Sequence, residues 1–190
     1  MVVCMGDSIT AGQYLDDGEQ AWPALIHGHN VVAAGVSSDT TRLALERFPR
    51  DVQAKQPEAV VIQFGHNDCN RWQTDLGLPR VSEAAFAANL REIVMRCRVF
   101  NAIPFLCTLT PSRRSIQHTG DAKHYNGILR EVAETDRVEL IDVRTIFKAV
   151  EEEPDGVTLL LDDGIHLNPA GHRVYAAAVQ RALDAWSVAR

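Results

Sequence analysis

Five short apolar runs, Val2 to Met5, Asn30 to Ala33, Ala59 to Phe64, Ile103 to Leu109 and Val138 to Asp142, recur at helix-sized intervals. Each is nearly continuous rather than alternating, the pattern of parallel strands covered on both faces. Helical signals fall between them. Phe86, Leu90, Ile93, Val94 and Cys97 mark one apolar stripe behind the cap candidate Ser82. Tyr175, Val179, Leu183 and Trp186 mark another behind Asn168-Pro169, an N-cap followed by proline in the first turn. Further helices are expected between Asp39 and Phe48 and between Tyr125 and Asp136.

Strand alternating with helix implies right-handed crossovers and a mostly parallel sheet. The expected fold class is α/β: a three-layer, flavodoxin-like sandwich with a five-stranded parallel sheet of order 2-1-3-4-5. No repeat or linker divides the chain, so one domain is expected over residues 1–190. Two connections, Cys69 to Val81 and Pro111 to His124, are long, and long loops in compact domains are commonly functional. Both are expected on the carboxyl edge of the sheet, where ligands bind in open α/β folds.

The net charge of -6 brings no basic stripe to neutralise phosphates, which argues against a nucleic-acid partner. No apolar run approaches the ~20 residues of a membrane span. The start of the chain lacks the marks of a signal peptide, so a cytoplasmic protein is expected, or a secreted one if a leader preceded Met1. Cys4, Cys97 and Cys107 fall in apolar patterns as small hydrophobes, and Cys69 reads as a bystander thiol in a probable site loop.

Gly6-Asp7-Ser8-Ile9-Thr10 follows the first strand, where a serine is presented to a ligand rather than packed away. A serine hydroxyl needs a base as it attacks, and an imidazole needs an acid to fix its tautomer. Asp163 and His166, in Asp163-Gly164-Ile165-His166 before the last helix, can supply both. Read singly, Asp163 is also a turn residue and His166 a packed side chain.

Ala34-Gly35-Val36-Ser37 follows the second strand and Gly65-His66-Asn67-Asp68 the third. Acyl transfer from an ester puts negative charge on the carbonyl oxygen, so donors must already point at it. The N–H of Ser8, the N–H of Gly35 (approachable for want of a side chain) and the amide of Asn67 are the candidates. Gly35 is equally a turn glycine and Asn67 a turn-stabilising amide. Four such segments on one sheet edge are harder to ascribe to chance.

The set Gly6-Asp7-Ser8, Gly35, Gly65-His66-Asn67-Asp68 and Asp163-Gly164-Ile165-His166 resembles the SGNH hydrolases, the GDSL-like esterases and lipases. The four blocks occur in that family's order, with Ile9 where its usual name has leucine. The resemblance implies Ser8 as nucleophile, His166 as base and Asp163 as its partner. It implies an oxyanion hole of Ser8, Gly35 and Asn67. The expected activity is cleavage of small carboxylic esters through an acyl-enzyme, without a cofactor. The same machinery suits an acetylated sugar, a thioester or a lysophospholipid, and the topology also hosts non-catalytic ligand-binding modules.

His66 and Asp68, with Asp163, His166 and His172, invite a metal reading, but no ligand spacing supports one and none is expected. His172 is expected to pack or cap. Asp7, His66, Arg71, Trp72, Arg113 and Ile165 are the candidates for touching substrate. Leu76, Leu78, Arg114 and Tyr125 are expected on the rim. The sequence holds little room for a lid domain, which implies a shallow, exposed site for short acyl groups.

Overall fold

The computed structural model describes residues 1–188. Strands β1 (Val2–Gly6), β2 (Val31–Gly35), β3 (Ala59–Gln63), β4 (Ile103–Cys107) and β5 (Glu139–Ile141) form one sheet of order β2-β1-β3-β4-β5. Every pair is parallel, as expected. Helices α1 (Ser8–Ala11), α2 (Thr41–Asp51), α3 (Glu83–Val99), α4 (Ile116–Thr135), α5 (Val143–Glu151) and α6 (Pro169–Val188) connect and cover it.

Alternation within each strand divides the interior into two cores. Val3, Met5, Val60, Ile62 and Leu106 face α2, α3 and α4, whose Phe48, Phe86, Leu90 and Leu129 complete that side. Val2, Cys4, Val61, Phe105 and Cys107 face the other way, against Phe147 of α5 and Tyr175, Val179 and Leu183 of α6. Both faces of the sheet are therefore dry, which is why the strands read as continuous apolar runs. The helices begin where polar side chains replace missing backbone acceptors. Thr40, Ser82, Ser115 and Asp142 each accept from the amide three residues on, capping α2 to α5.

Helix α4 departs from the expected layout. It starts at Ile116 and absorbs most of the connection expected between Pro111 and His124. Its inward face carries His118 and Asn126 among Ala122, Tyr125 and Leu129, so polar residues interrupt the apolar stripe. Asn126 is satisfied there: its Oδ1 accepts from Leu109 N at 2.8 Å. Tyr125 is core rather than rim, 1% exposed, with its hydroxyl on Val81 O. The Cys69 to Val81 connection is a loop containing only a short 3₁₀ turn over Gln73–Asp75.

Gly35 ends β2 in register with Gly6 of β1. A methyl group there would sit 2.3 Å from Ala11 N and 2.6 Å from Thr10 C, so the glycine lets α1 pack across the strand ends. Because those neighbours are backbone, Gly35→Ala should displace α1 and destabilise the fold by about 1–3 kcal/mol. Urea denaturation checks this, and an unchanged midpoint would contradict the close approach.

Candidate active site

Ser8 sits where β1 gives way to α1. Asp7 caps that turn, its Oδ1 accepting from Ile9 N at 2.9 Å. Ser8 is thereby the first residue of a helix, and the first N–H groups of a helix have no intrahelical acceptor. Its side chain reaches to the opposite end of the chain: Ser8 Oγ lies 2.9 Å from His166 Nε2.

His166 and Asp163 share one turn. The carboxylate Oδ1 accepts the amides of Ile165 and His166, both at 2.9 Å, and Oδ2 meets His166 Nδ1. With the proton on Nδ1 facing the carboxylate, Nε2 is left to accept from Ser8. Burial raises the Asp163 carboxyl, but the His166 ring and the two amides outweigh it and hold the group below the usual range. Gly164, at φ +72°, makes the turn, and a side chain there would come within 2.7–2.8 Å of the Arg113 and Arg114 backbone. Arg113 N donates to Gly164 O at 2.8 Å, and Leu161 N donates to His166 O at 2.8 Å. The turn is thus braced on both sides.

Gly65-His66-Asn67-Asp68 curls at the end of β3, with Cys69 N donating to Gly65 O at 2.9 Å. Asp68 points inward. Its Oδ1 accepts from Thr41 N at 2.9 Å and Thr41 Oγ1 at 2.5 Å, tying the turn to the start of α2. Burial pushes this carboxyl up to about 6 despite those bonds. Asn67 is half-buried, and its side-chain amide holds no hydrogen bond among the described residues.

Several residues expected to touch substrate are buried or engaged within the protein. Asp7 is fully buried, so it shapes the Ser8 turn instead of touching substrate. Ile165 is 6% exposed and packs in the α6-side core. His66 is 4% exposed, its ring stacked on His118 at 5.6 Å and its Nε2 3.1 Å from Thr110 Oγ1. Burial, then the neighbouring His118, drives its pKa well down, so it is a neutral interior ring. Arg113 turns to Glu151, with Nη2 to Oε2 at 2.7 Å. Arg71 is fixed on both oxygens of Asp121 at 2.7 and 2.9 Å. Trp72 stays half-exposed under the Arg80 guanidinium, 4.7 Å from the ring centre.

Gly35 is also placed differently from expectation. Val36 N donates to Gly6 O at 3.0 Å, toward β1. Successive amides of an extended strand point to opposite sides, so the Gly35 N–H leaves the sheet at its outer edge, away from Ser8. His172 packs, as expected: its Nδ1 accepts from Trp22 N at 3.1 Å, and burial lowers it to about 4.

Two participants escaped sequence reading. Tyr14 lies edge-on against His166, ring centres 4.8 Å apart, and lines a cleft of about 550 Å³ with Leu160, Leu161 and Asp163. Arg47 reaches from α2 to Gly6 O and Ala34 O, both at 3.0 Å. Nothing in the local pattern marks a single loop tyrosine or a helix arginine for these places.

A serine, imidazole and carboxylate in relay on the carboxyl edge of a parallel α/β sheet define the architecture of a serine hydrolase. The profile of the GDSL-like Lipase/Acylhydrolase family matches residues 4–174, and the chain belongs to that family. It is 33% identical over 107 residues to the Thioesterase 1/protease 1/lysophospholipase L1 of Escherichia coli, covering 52% of this chain and 51% of that one. The chain thus spans about half the length of that curated relative. It is 25% identical to an arylesterase of Vibrio mimicus, over 88% of this chain and 80% of that one. The crystal structure of the acetyl xylan esterase AlAXEase superposes with a TM-score of 0.79 at 26% identity, covering 95% and 98% of the two chains. LAE5, an alpha/beta hydrolase from the Lake Arreo metagenome, gives 0.76 at 28%, covering 95% and 93%.

Burial, the largest influence on Asp7, lifts its carboxyl to about 7. The unfolded chain releases this proton near pH ~4 and the folded protein near 7. Between those values the folded state binds more protons, so this group's contribution to stability falls as pH rises. Asp7→Asn keeps the Ile9 cap and removes the titration. Its stability relative to the natural protein should therefore climb from pH 4 to 7, and parallel urea-midpoint curves would contradict the buried acid.

Proposed function

We propose that the protein is a serine hydrolase that cleaves carboxylic esters through an acyl-enzyme, with the catalytic unit spanning the whole chain. The observation that carries this is the contact between Ser8 Oγ and His166 Nε2 with Asp163 behind it. Ser8 Oγ attacks the ester carbonyl as His166 Nε2 takes its proton. Asp163 stabilises the imidazolium, which then protonates the departing alcohol. Water enters by the same route in reverse and frees the acid.

The developing oxyanion needs donors set in advance. The Ser8 N–H and the unengaged Asn67 amide are suited to it. For the third we propose an amide of the β2–α2 loop, Ser37 or Ser38, in place of Gly35. Neither of these amides donates to any group among the described residues, and Ser38 holds φ at +64°. Small esters with short acyl groups fit a cleft open to solvent beside Tyr14 and Asp163. A second reading, removal of acetyl groups from a carbohydrate, draws support from the similarity to AlAXEase over nearly the whole chain.

Ser8→Ala should abolish hydrolysis of p-nitrophenyl acetate and irreversible labelling by a fluorophosphonate while leaving the urea midpoint near that of the natural protein. Activity above a few per cent in the purified variant would remove Ser8 from the mechanism. Asn67→Ala should lower kcat by about 10²–10³ with little change in KM, because its donor acts mainly as charge develops. A rise in KM alone would make Asn67 a general binding residue.

A further inference from the structure

A second cavity, of about 250 Å³, opens between the β3–α3 loop and the start of α4. Its wall includes Asn70, Arg71, Arg114, Gln117, His118 and Asp121. We propose that this cavity is a subsite for a carboxylate carried by the substrate, and that Arg114 is the specificity-determining residue that recognises it. The inference rests on the esterase reading above and names a substrate class for it.

The first support is a charge count. Arg71 and Asp121 cancel, because the guanidinium occupies both carboxylate oxygens. His118 is spent as well: its Nε2 donates to His66 O at 3.2 Å, and its Nδ1 takes the hydroxyl of Ser112 at 2.8 Å. Burial keeps that ring neutral by lowering its pKa. Asn70 and Gln117 carry no charge. Arg114 remains, with a side chain that makes no ion pair or hydrogen bond among the described residues. The cavity therefore presents one uncancelled cation and no free anion. A planar guanidinium offers a carboxylate two parallel donors, which a neutral hydroxyl cannot use together.

The second support is position. Asn70 is three residues beyond Asn67, and the Arg114 backbone packs on Gly164, two residues before His166. At most ~3.6 Å per residue separates such points, so the cavity borders the two loops that carry Asn67 and His166, with Asn70 no more than about 11 Å along the chain from Asn67 and Gly164 about 7 Å from His166. That is the reach of a small ester with one further functional group. Arg113 shows the contrast. It is adjacent in sequence but committed to Glu151, and it does not line the cavity.

The test compares kcat/KM for matched esters. On the alcohol side these are 4-acetoxybenzoate and its methyl ester. On the acyl side they are p-nitrophenyl hemisuccinate and p-nitrophenyl butyrate. In Arg114→Gln the anionic-to-neutral ratio should fall about tenfold for one of the two pairs, and further in Arg114→Glu, because a partly screened charge acts at close range. Arg114→Lys should restore part of it, and Arg113→Gln should leave the ratio within about twofold. Ratios unchanged in Arg114→Gln and Arg114→Glu for both pairs would overturn the proposal. An equal loss on acetylated glucose would also overturn it, marking the cavity as a hydroxyl site. Should the natural protein cleave none of these esters, the esterase reading fails separately. Calorimetric binding of 4-acetamidobenzoate and succinanilate, the unreactive amides, then decides the subsite: about tenfold weaker binding of either in Arg114→Glu supports it, and equal binding overturns it.

Discussion

The guanidinium of Arg47 fixes the geometry on which the site depends. A carbonyl oxygen has two lone pairs, so one already used in the sheet can take a second donor where the strands end. Arg47 supplies such donors to Gly6 O and Ala34 O, while pairing with Asp39 at 2.6 Å and Asp51 at 3.0 Å. A charge that is 9% exposed survives only because each of these partners is in place. Burial pushes the Asp39 carboxyl upward, and the Arg47 pairing only partly offsets it. The clamp locks the ends of β1 and β2 side by side, and α1 can then cross Gly35 with Ser8 at its head.

Ser8 and His166 are 158 residues apart, so their contact depends on long-range packing. The sheet supplies one half by burying β1 between β2 and β3. The other half comes from the turn before α6, which makes its own support. Gly164 admits the Arg113–Arg114 backbone, Asn168 Nδ2 holds Thr158 O at 2.8 Å, and its Oδ1 caps α6 through Gly171 N. The β4–α4 and α5–α6 connections thus touch one another before any substrate arrives, which suits a preorganised site.

The strands and the helices α3 and α6 were legible in the sequence because both faces of the sheet are dry and each helix keeps an unbroken apolar stripe. The Ser82 cap and the buried set from Phe86 to Cys97 are the clearest case. The first half of α4, ahead of the helix expected from Tyr125, was hidden by His118, which is polar, buried and satisfied by Ser112 and His66. Val143, Ile146, Phe147 and Val150 of α5 did carry helical spacing, and the short link from β5 through Asp142 concealed it. Within the site, the meeting of Ser8, Asp163 and His166 could be anticipated because the chemistry proposed for them constrains residue type. The misplacement of Gly35 has a different cause. Its missing side chain makes room for a helix, and sequence cannot say which neighbour a glycine admits.

The environments of the acids on this edge separate their roles. Asp7 lies beside Ser8, the proposed nucleophile, where an ionised carboxylate would repel the negative charge of an ester under attack. Burial lifts it to about 7, so the proton that blunts this repulsion is held through the acidic range. Asp163 stands in the opposite setting, part exposed and bonded to two amides and an imidazole, and is held below its ordinary value. A carboxylate meant to stabilise an imidazolium must stay ionised while that cation forms, and three hydrogen bonds to its charged form provide for this. Two aspartates close to one serine are therefore not interchangeable: solvent exclusion favours the neutral form of Asp7, and hydrogen bonding favours the ionised form of Asp163, as the proposed mechanism requires.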